Sequence, residues 1–444
     1  MPKSNIYTIF LWFRRRPFFR VSERTLTMLM PLAVIGSVSQ FLWRSVFSPD
    51  SLISNILYFD NWLPDQIFNG AWYATQGLTN VIFNLFGIFV AYFAAKYTAQ
   101  FYNKDEQMAG LSGMIGLLLC AYRYRNVNNS VFTFNWRFLN IDSFLLALLI
   151  GFGTGQIFRW LGKNVTHPSI NNSPHIQERA IASFKPLLVT WAIGLVLGIV
   201  ANFVGLRLVA THLYEYFQNQ GQNNLNIFAY IPLIGLALFL NWLGIGQPLT
   251  GLTDAGISGM GTANISYALQ HGSSWNVPNK FLGSEIYKSY GQFGGNGILL
   301  ALLIVILLFV KKKNVVRISR WTFIPTLFGS NAGALIGIPV ILNPLFVLPY
   351  VFLPIMNMLL AAGAIALHLV PASAYAILTG TPGLIKGFIA TNGSWQALLV
   401  ALVIFAVDIL LYIPIVKMAN KIESKVDELN TREERKNVEK SEEK

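Results

Sequence analysis

The fold is decided by residues 321–346, WTFIPTLFGSNAGALIGIPVILNPLF, an apolar stretch that glycine and proline interrupt repeatedly. A helix interior disfavours Gly by roughly 1 kcal/mol and Pro by roughly 3 kcal/mol relative to Ala, which argues against one uninterrupted membrane span. Broken backbone is tolerated at bilayer depth only where protein buries it or a wet cavity lines it. In transporters such segments often build the substrate site, because freed N–H and C=O groups become ligands. We therefore interpret 321–341 as a re-entrant hairpin at a solute site.

The composition predicts an all-α protein that crosses the membrane several times. Of the 444 residues, 54% are hydrophobic and 12% are charged, and soluble domains carry about 25% charged residues. We expect about ten transmembrane helices plus two re-entrant hairpins, the second over 244–265, given the ~20 residues that one span needs. The apolar runs fall at roughly 25–43, 75–101, 108–122, 141–162, 185–208, 227–246, 296–310, 342–370 and 395–418.

The basic residues indicate a topology rather than a nucleic-acid partner. The formal charge is +13, from 33 basic and 20 acidic residues, and in a membrane protein such an excess reports the positive-inside rule. Arginines at 14–24 predict a cytoplasmic N-terminus, and basic residues at 311–320 mark a second cytoplasmic loop. Simple alternation then puts Arg123 and Arg137 outside, which the rule disfavours, so the order of the central spans stays open. We expect both termini in the cytoplasm and no cleavable signal peptide.

Several motifs resemble the lactose/cellobiose branch of phosphotransferase-system (PTS) sugar permeases, the IIC component. Asn331 followed by GIPVILNP (337–344) is similar to the family pattern N-E-P-V-I-F-G-L-P-I-V-L-N-P. TGTPGLIKGFIATNGSW (379–395) is similar to W-T-T-P-x-x-I-S-G-F-L-A-T-G-x-W. The resemblance covers nearly the whole chain and is strongest over 320–418.

The resemblance implies a IIC fold of the glucose-superfamily type with two membrane domains. Together with the composition, it predicts four segments. These are a cytoplasmic or interfacial segment over 1–24, a scaffold and dimerisation domain over 25–222, a substrate-transport domain over 223–418 that contains both hairpins, and a charged tail over 419–444.

The chain departs from the family at two polar positions. Ala332 stands where the family has a sugar-binding Glu, and Gly246 stands where the family has a sugar-contacting His. The adjacent Gln247 keeps donor and acceptor capacity but cannot perform acid–base chemistry near neutral pH. These changes predict altered specificity or lost phosphotransfer.

Acidic residues inside membrane segments are functional hypotheses by default. Asp254, in the first broken stretch, fits either an acceptor for sugar hydroxyls or a turn residue. Asp408, in the last span, is interpreted as a packing or interhelical partner, and Asp142 as a helix-start residue. The predicted substrate-binding set is Asn331, Gln247, Ala332, Gly246, Asp254, Asn241, Thr381 and Asn343. No catalytic residue, cofactor or metal site is predicted, since the five histidines lack metal spacing.

Three functions stay open at this point. The first is a IIC permease of the bacterial cytoplasmic membrane that moves a disaccharide of the cellobiose/lactose type by alternating access. Its expected partners are separate IIA and IIB proteins and a second copy of the chain, with no phosphoryl-accepting residue of its own and no nucleic acid. The second is a degenerate paralogue that transports without phosphorylation, and the third is a non-transporting membrane sensor or regulator.

Overall fold

The computed structural model describes residues 14, 16–124, 132–164, 174–203, 206–223 and 225–442, and they fold almost entirely into helices. In the first half of the chain one π-helical turn (Leu42–Val46) extends α1, and one 3₁₀ turn (Ile141–Ser143) leads into α8. The elements are α1 Pro17–Phe41, α2 Leu52–Leu57, α3 Phe59–Trp62, α4 Asp65–Asn84, α5 Phe86–Phe101, α6 Glu106–Ala121, β1 Tyr122–Tyr124, β2 Phe132–Phe134, α7 Trp136–Leu139, α8 Phe144–Leu161, α9 Pro174–Phe203 and α10 Leu206–Gln222.

The second half is a series of long and short helices. Two further 3₁₀ turns precede α15 (Asn296–Ile298) and α19 (Gly383–Ile385). The helices are α11 Ile227–Trp242, α12 Gln247–Thr253, α13 Gly259–His271, α14 Gly283–Tyr290, α15 Leu299–Phe309, α16 Lys313–Leu327, α17 Ala332–Gly337, α18 Pro344–Ala366, α19 Lys386–Ala390 and α20 Trp395–Glu442.

The apolar runs predicted from the sequence are confirmed as helices. Six helices are long and apolar enough to cross a membrane, and three shorter apolar helices accompany them in the described residues. Together they account for all nine predicted runs. The six candidates are Pro17–Val46, Asp65–Phe101, Ile141–Leu161, Gln177–Val200, Pro344–Ala366 and Trp395–Val426, and the shorter three are Glu106–Ala121, Ile227–Trp242 and Asn296–Phe309.

Both stretches that the sequence marks as broken are broken in the structure. Residues 254–258 separate α12 from α13, and residues 328–331 separate α16 from α17. Gly329 takes a φ of +86° at the second break, a left-handed conformation that favours glycine because it has no Cβ. The prediction that 321–346 cannot form one helix is confirmed.

A short hairpin was also expected in the loop after α6. Strands β1 and β2 pair antiparallel, with Tyr122 opposite Phe134. The pair is confirmed, and its alternating apolar and polar residues explain it, because period-two patterns fit strands.

Two hydrophobic clusters organise the described residues. One draws mainly on α1 and α5–α8, and the other on α11–α20. Ile336, Ile341 and Leu342 from the second half belong to the first cluster, where the Gly333 N–H donates to Ser37 Oγ of α1 at 2.6 Å. Phe217 of α10 belongs to the second cluster. The proposed division near residue 222 therefore follows the clusters, except that the region around α17 packs on α1.

Close packing of α5 against α8 depends on glycine. A Cβ at Gly151 would lie 2.5 Å from the Ala91 carbonyl oxygen, whereas a Cβ at Gly153 would meet nothing within 4 Å. Small residues let membrane helices approach closely. We expect Gly151→Ala to destabilise the fold by about 1–3 kcal/mol through overpacking, and Gly153→Ala to be neutral or stabilising. Thermal unfolding of both variants in detergent checks this; equal midpoints would contradict it.

Candidate functional site

A large cavity lies between the two clusters. Its volume is about 1050 Å³, at the upper end of the 300–1,000 Å³ that ligand sites commonly occupy. The end of α1, α4 and the segment 137–142 line it from the first half. Both broken stretches, α14 and the loop 373–381 line it from the second half. Material from both hydrophobic clusters therefore meets at this one cavity.

The structure brings six of the eight predicted binding residues to the cavity wall. Four of them come from the broken stretches themselves, which supports the reasoning that located the site there. The six are Asn241, Gly246, Asp254, Asn331, Ala332 and Thr381. Contact between these residues and a sugar stays a prediction.

The other two predicted residues, Gln247 and Asn343, lie outside the cavity lining. Gln247 is 2% exposed, and its Nε2 donates to Ser143 Oγ at 2.7 Å and to the Arg137 carbonyl at 3.3 Å. Asn343 caps α18, accepting from the Leu345 N–H at 3.2 Å. Their amides are used in holding the backbone, so the structure gives both residues a positioning role. Their contact with substrate is not supported by this geometry.

Asp142 occupies the space next to Gly246. The Gly246 N–H donates to the Asp142 carbonyl at 2.7 Å, and a Cβ at Gly246 would lie 2.2 Å from Asp142 Oδ1. Asp142 does stand in the first turn of its 3₁₀ helix, as expected of a helix-start residue. Its carboxylate also lines the cavity, which the sequence did not reveal.

Asp254 joins a second polar group in the wall. It ends α12 as its C-cap, and the Tyr214 hydroxyl donates to its Oδ2 at 3.1 Å. The Arg137 guanidinium stacks over the Tyr214 ring at 3.8 Å. Burial, with Asp254 as the second cause, raises the pKa of Tyr214 above its usual range. Both readings of Asp254, as a helix-end residue and as a cavity acceptor, are compatible with its position.

The predicted asparagines are held in place by neighbours. The Tyr350 hydroxyl donates to Asn241 Oδ1, and Asn331 packs on Gly295, where a Cβ would lie 2.5 Å from Asn331 Nδ2. Gly295 has a φ of +83°. Glycine is needed there for both the backbone conformation and the close approach.

Sequence reasoning missed the charged residues of α14 and α19. Lys288 Nζ lies 3.8 Å from Glu285 Oε1 and donates to the Ala255 carbonyl at 3.2 Å. Lys386 Nζ donates to Gln292 Oε1 at 3.0 Å. Burial, and then the charge of Lys288, lower the pKa of Lys386 to about 8. The available signal was the presence of charges in GSEIYKSY and GLIKGF, between apolar segments of the second half.

Other sequence interpretations are resolved by position. Asp408 is fully buried, and its Oδ2 accepts from Asn357 Nδ2 of α18 at 2.9 Å, which confirms it as an interhelical partner. Trp43 and Trp72 line the cavity, whereas Trp242, Trp275 and Trp395 do not. Among the described residues, no group of three or more His, Cys, Asp or Glu is arranged to hold a metal ion.

Comparison with known proteins gives one consistent family. Residues 24–354 match the model of a family described as "Phosphotransferase system, EIIC". The chain is 24% identical over 271 residues to the PTS cellobiose-specific EIIC component of Lactococcus lactis, covering 56% of this chain and 54% of that protein. It is 22% identical over 381 residues to the lactose-specific EIICB component of Staphylococcus epidermidis, covering 83% and 65%. It thus spans about half to two thirds of the length of these two relatives.

Two further similarities extend over nearly the whole chain. The PTS oligo-beta-mannoside-specific EIIC component of Bacillus subtilis is 23% identical over 429 residues, covering 91% of this chain and 90% of that protein. A crystal structure of ChbC, described as the IIC component from the N,N'-diacetylchitobiose-specific phosphotransferase system, superposes with a TM-score of 0.44 and 17% identity. The match covers 96% of this chain and 98% of that one.

Proposed function

We propose, since this chain belongs to the phosphotransferase system EIIC family, that it is a sugar permease of the bacterial cytoplasmic membrane. It binds a disaccharide of the cellobiose/lactose type and presents it to a separate IIB protein, which is charged by IIA and phosphorylates the sugar. The observation that carries this proposal is the 1050 Å³ cavity, lined by six of the eight residues that the sequence selects.

The chemistry of the cavity suits a saccharide. Amides and hydroxyls, among them Asn241, Asn331 and Thr381, line it beside Trp43 and Trp72. Sugar hydroxyls both donate and accept, so a mixed set of this kind can select them, and a buried polar group left unpaired costs roughly 1–3 kcal/mol. Tryptophan faces offer apolar contact to sugar rings.

Alternating access follows from where the cavity lies. One wall belongs to the first hydrophobic cluster and the other to the second, so a shift of one cluster against the other opens or closes the cavity. Movement of packed units about an interface is a common switching mode. We infer that the region around α17, which packs on α1, stays with the scaffold during this shift.

Carboxylates from other elements occupy the cavity despite Ala332 and Gly246. Asp142, Asp254 and Glu285 all line it. A carboxylate within hydrogen-bond reach of a hydroxyl orients it and takes its proton as a phosphoryl group is transferred. Asp142 lies against Gly246, and it is the residue that we assign to this role. The presence of these groups favours the phosphotransferring permease over transport without phosphorylation.

Proteoliposomes test this function. With IIA, IIB and phosphoenolpyruvate-driven phosphoryl supply inside, labelled disaccharide should accumulate as sugar phosphate. Asp142→Asn should lower the phosphorylation rate by roughly 10²–10⁴-fold, the usual contribution of general acid–base catalysis, while saccharide binding changes little.

The other outcomes separate the alternatives. Sugar that equilibrates across the membrane without IIA and IIB, and is never phosphorylated with them, would establish facilitated transport. Saturable binding with no entry would establish a sensor. Neither binding nor entry for any disaccharide would overturn the proposal.

A further inference from the structure

One wall of the cavity carries an excess positive charge. It consists of α14, the following Gln292 and the first residue of α19. Its charged side chains are Glu285, Lys288 and Lys386, all of which line the cavity. Lys288 lies 3.8 Å from Glu285, which leaves Lys386 as the additional cation.

Lys386 has a neutral partner only. Its Nζ donates to Gln292 Oε1 at 3.0 Å, and in the part of the chain that the structure describes no carboxylate pairs with it. A cation removed from water without a counter-charge is destabilised, which is why the pKa of Lys386 falls to about 8. An ammonium group at a cavity wall, unpaired within the protein, is suited to an anion that enters with the ligand.

Packing fixes the position of Lys386. A Cβ at Gly387 would lie 2.9 Å from the Tyr290 ring, and a Cβ at Gly383 would lie 2.5 Å from the Gln292 carbonyl oxygen. The turn that carries Lys386 therefore lies directly against α14 and Gln292. Binding groups held on packed elements lose little freedom when a ligand arrives.

The remaining cations of the wall are engaged elsewhere. The Arg137 guanidinium stacks on Tyr214, and the Arg44 guanidinium lies 5.2 Å from the Trp43 ring centroid. Asp142 and Asp254 are acceptors that suit sugar hydroxyls. The cavity thus offers hydroxyl-binding groups in one set of elements and an unpaired ammonium in another.

We propose that the saccharide carried by this protein bears an acidic group, a carboxylate or a phosphate, and that Lys386 is the residue that binds it. This rests on the proposed permease function and names its substrate class. A charge-assisted hydrogen bond from an ammonium to a carboxylate or phosphate is roughly twice as strong as a neutral one. Lys288 adds a second positive charge beside it.

Calorimetric binding to the purified full-length protein tests the proposal with three ligands: cellobiose, cellobiouronic acid and cellobiose 6-phosphate. At pH 7 we expect at least one acidic ligand to bind roughly 10-fold or more tightly than cellobiose. Preference for the uronic acid identifies a carboxylate, and preference for the phosphate identifies a phosphoryl group. In Lys386→Gln the preference should vanish, and in Lys386→Arg it should persist. The control Lys311→Gln removes an exposed lysine outside the cavity and should keep it.

The pH dependence provides a second readout. The titratable or charged groups of the elements packed on Lys386 are Glu285, Tyr287, Lys288 and Tyr290 of α14, and Asp408 of α20. Lys386 is charged below about pH 8, so affinity for the uronic acid should fall as the pH rises from 7 to 9. One pH unit above the pKa about a tenth of the lysine is protonated, which lowers the affinity about 10-fold. Lys386→Arg should flatten this profile, since arginine stays charged.

The outcomes distinguish this inference from the function on which it rests. Saturable cellobiose binding with no preference for either acidic ligand would overturn the role of Lys386 and leave the permease intact. Binding of none of the three would overturn both. The comparison among ligands uses the unaltered protein, so it is decisive even if a Lys386 variant fails to fold.

Discussion

Gly246→His should abolish saccharide binding, and Asp142→Gly in the same chain should restore it. The two residues are in contact: a Cβ at position 246 would lie 2.2 Å from Asp142 Oδ1 and 2.8 Å from its Cγ. Overpacking at a buried contact costs typically 1–3 kcal/mol and occasionally more. Here the 246 amide is also bonded to the Asp142 backbone, so a displaced Asp142 disturbs α12 as well. Removing the 142 side chain vacates the space that the imidazole needs.

A double-mutant cycle measures this coupling. Thermal unfolding and cellobiose binding of both single variants and the double variant should give an interaction energy of about 2 kcal/mol or more, as contacting residues commonly do. Gly256→His is the matched control, because a Cβ there would meet only Gln222 Nε2, at 3.8 Å. Additive effects of the two substitutions would contradict the contact. The result also bears on the family resemblance, since adding the family His alone cannot rebuild the family site.

Gly380→Ala should unfold the protein at a markedly lower temperature and remove saccharide binding. Gly380 has a φ of +65°, and a Cβ there would lie 2.4 Å from Ser45 Cα in the π-helical turn after α1. The left-handed conformation costs a non-glycine residue roughly 1–2 kcal/mol, and overpacking adds typically 1–3 kcal/mol. Since the neighbouring atom belongs to the backbone, the loop must move away from α1, and this loop lines the cavity.

Gly393→Ala separates the two costs. Gly393 has a φ of +82°, but its nearest neighbour, Phe388 Cζ, would be 3.6 Å away. It therefore carries the conformational cost without the clash. Thermal unfolding should rank Gly380→Ala well below Gly393→Ala, and only the former should lose cellobiose binding. Equal unfolding midpoints would show that the loop does not press against α1.

The sequence predicts those features of the fold that depend on local composition. Each apolar run became a helix, and the breaks at 254–258 and 328–331 follow from nearby glycines and prolines. These signals are local because helix propensity and hydropathy act over a few turns. The same reasoning located the cavity, since most of its predicted lining residues belong to the broken stretches.

The details of the site depend on contacts between distant residues. Gln247 was selected for its amide, but Ser143, 104 positions away, takes the Nε2 hydrogen. Lys386 meets Gln292 across 94 positions, and nothing in the local sequence of either residue indicates that pairing. The position of Asp142 against Gly246 likewise arises only when the start of α8 and the start of α12 come together. Tertiary packing, which overrides local preference, decided all three.

Cellobiose binding to the purified protein, with the cavity open or filled, tests the central claim most directly. Ala332→Trp places an indole in the cavity wall, and Ala192→Trp places the same group at an exposed position of α9. The cavity proposal predicts saturable binding to the unaltered protein and to Ala192→Trp, and its loss in Ala332→Trp at unchanged thermal stability. Saturable binding that survives Ala332→Trp would contradict it, because the sugar would then bind outside this cavity.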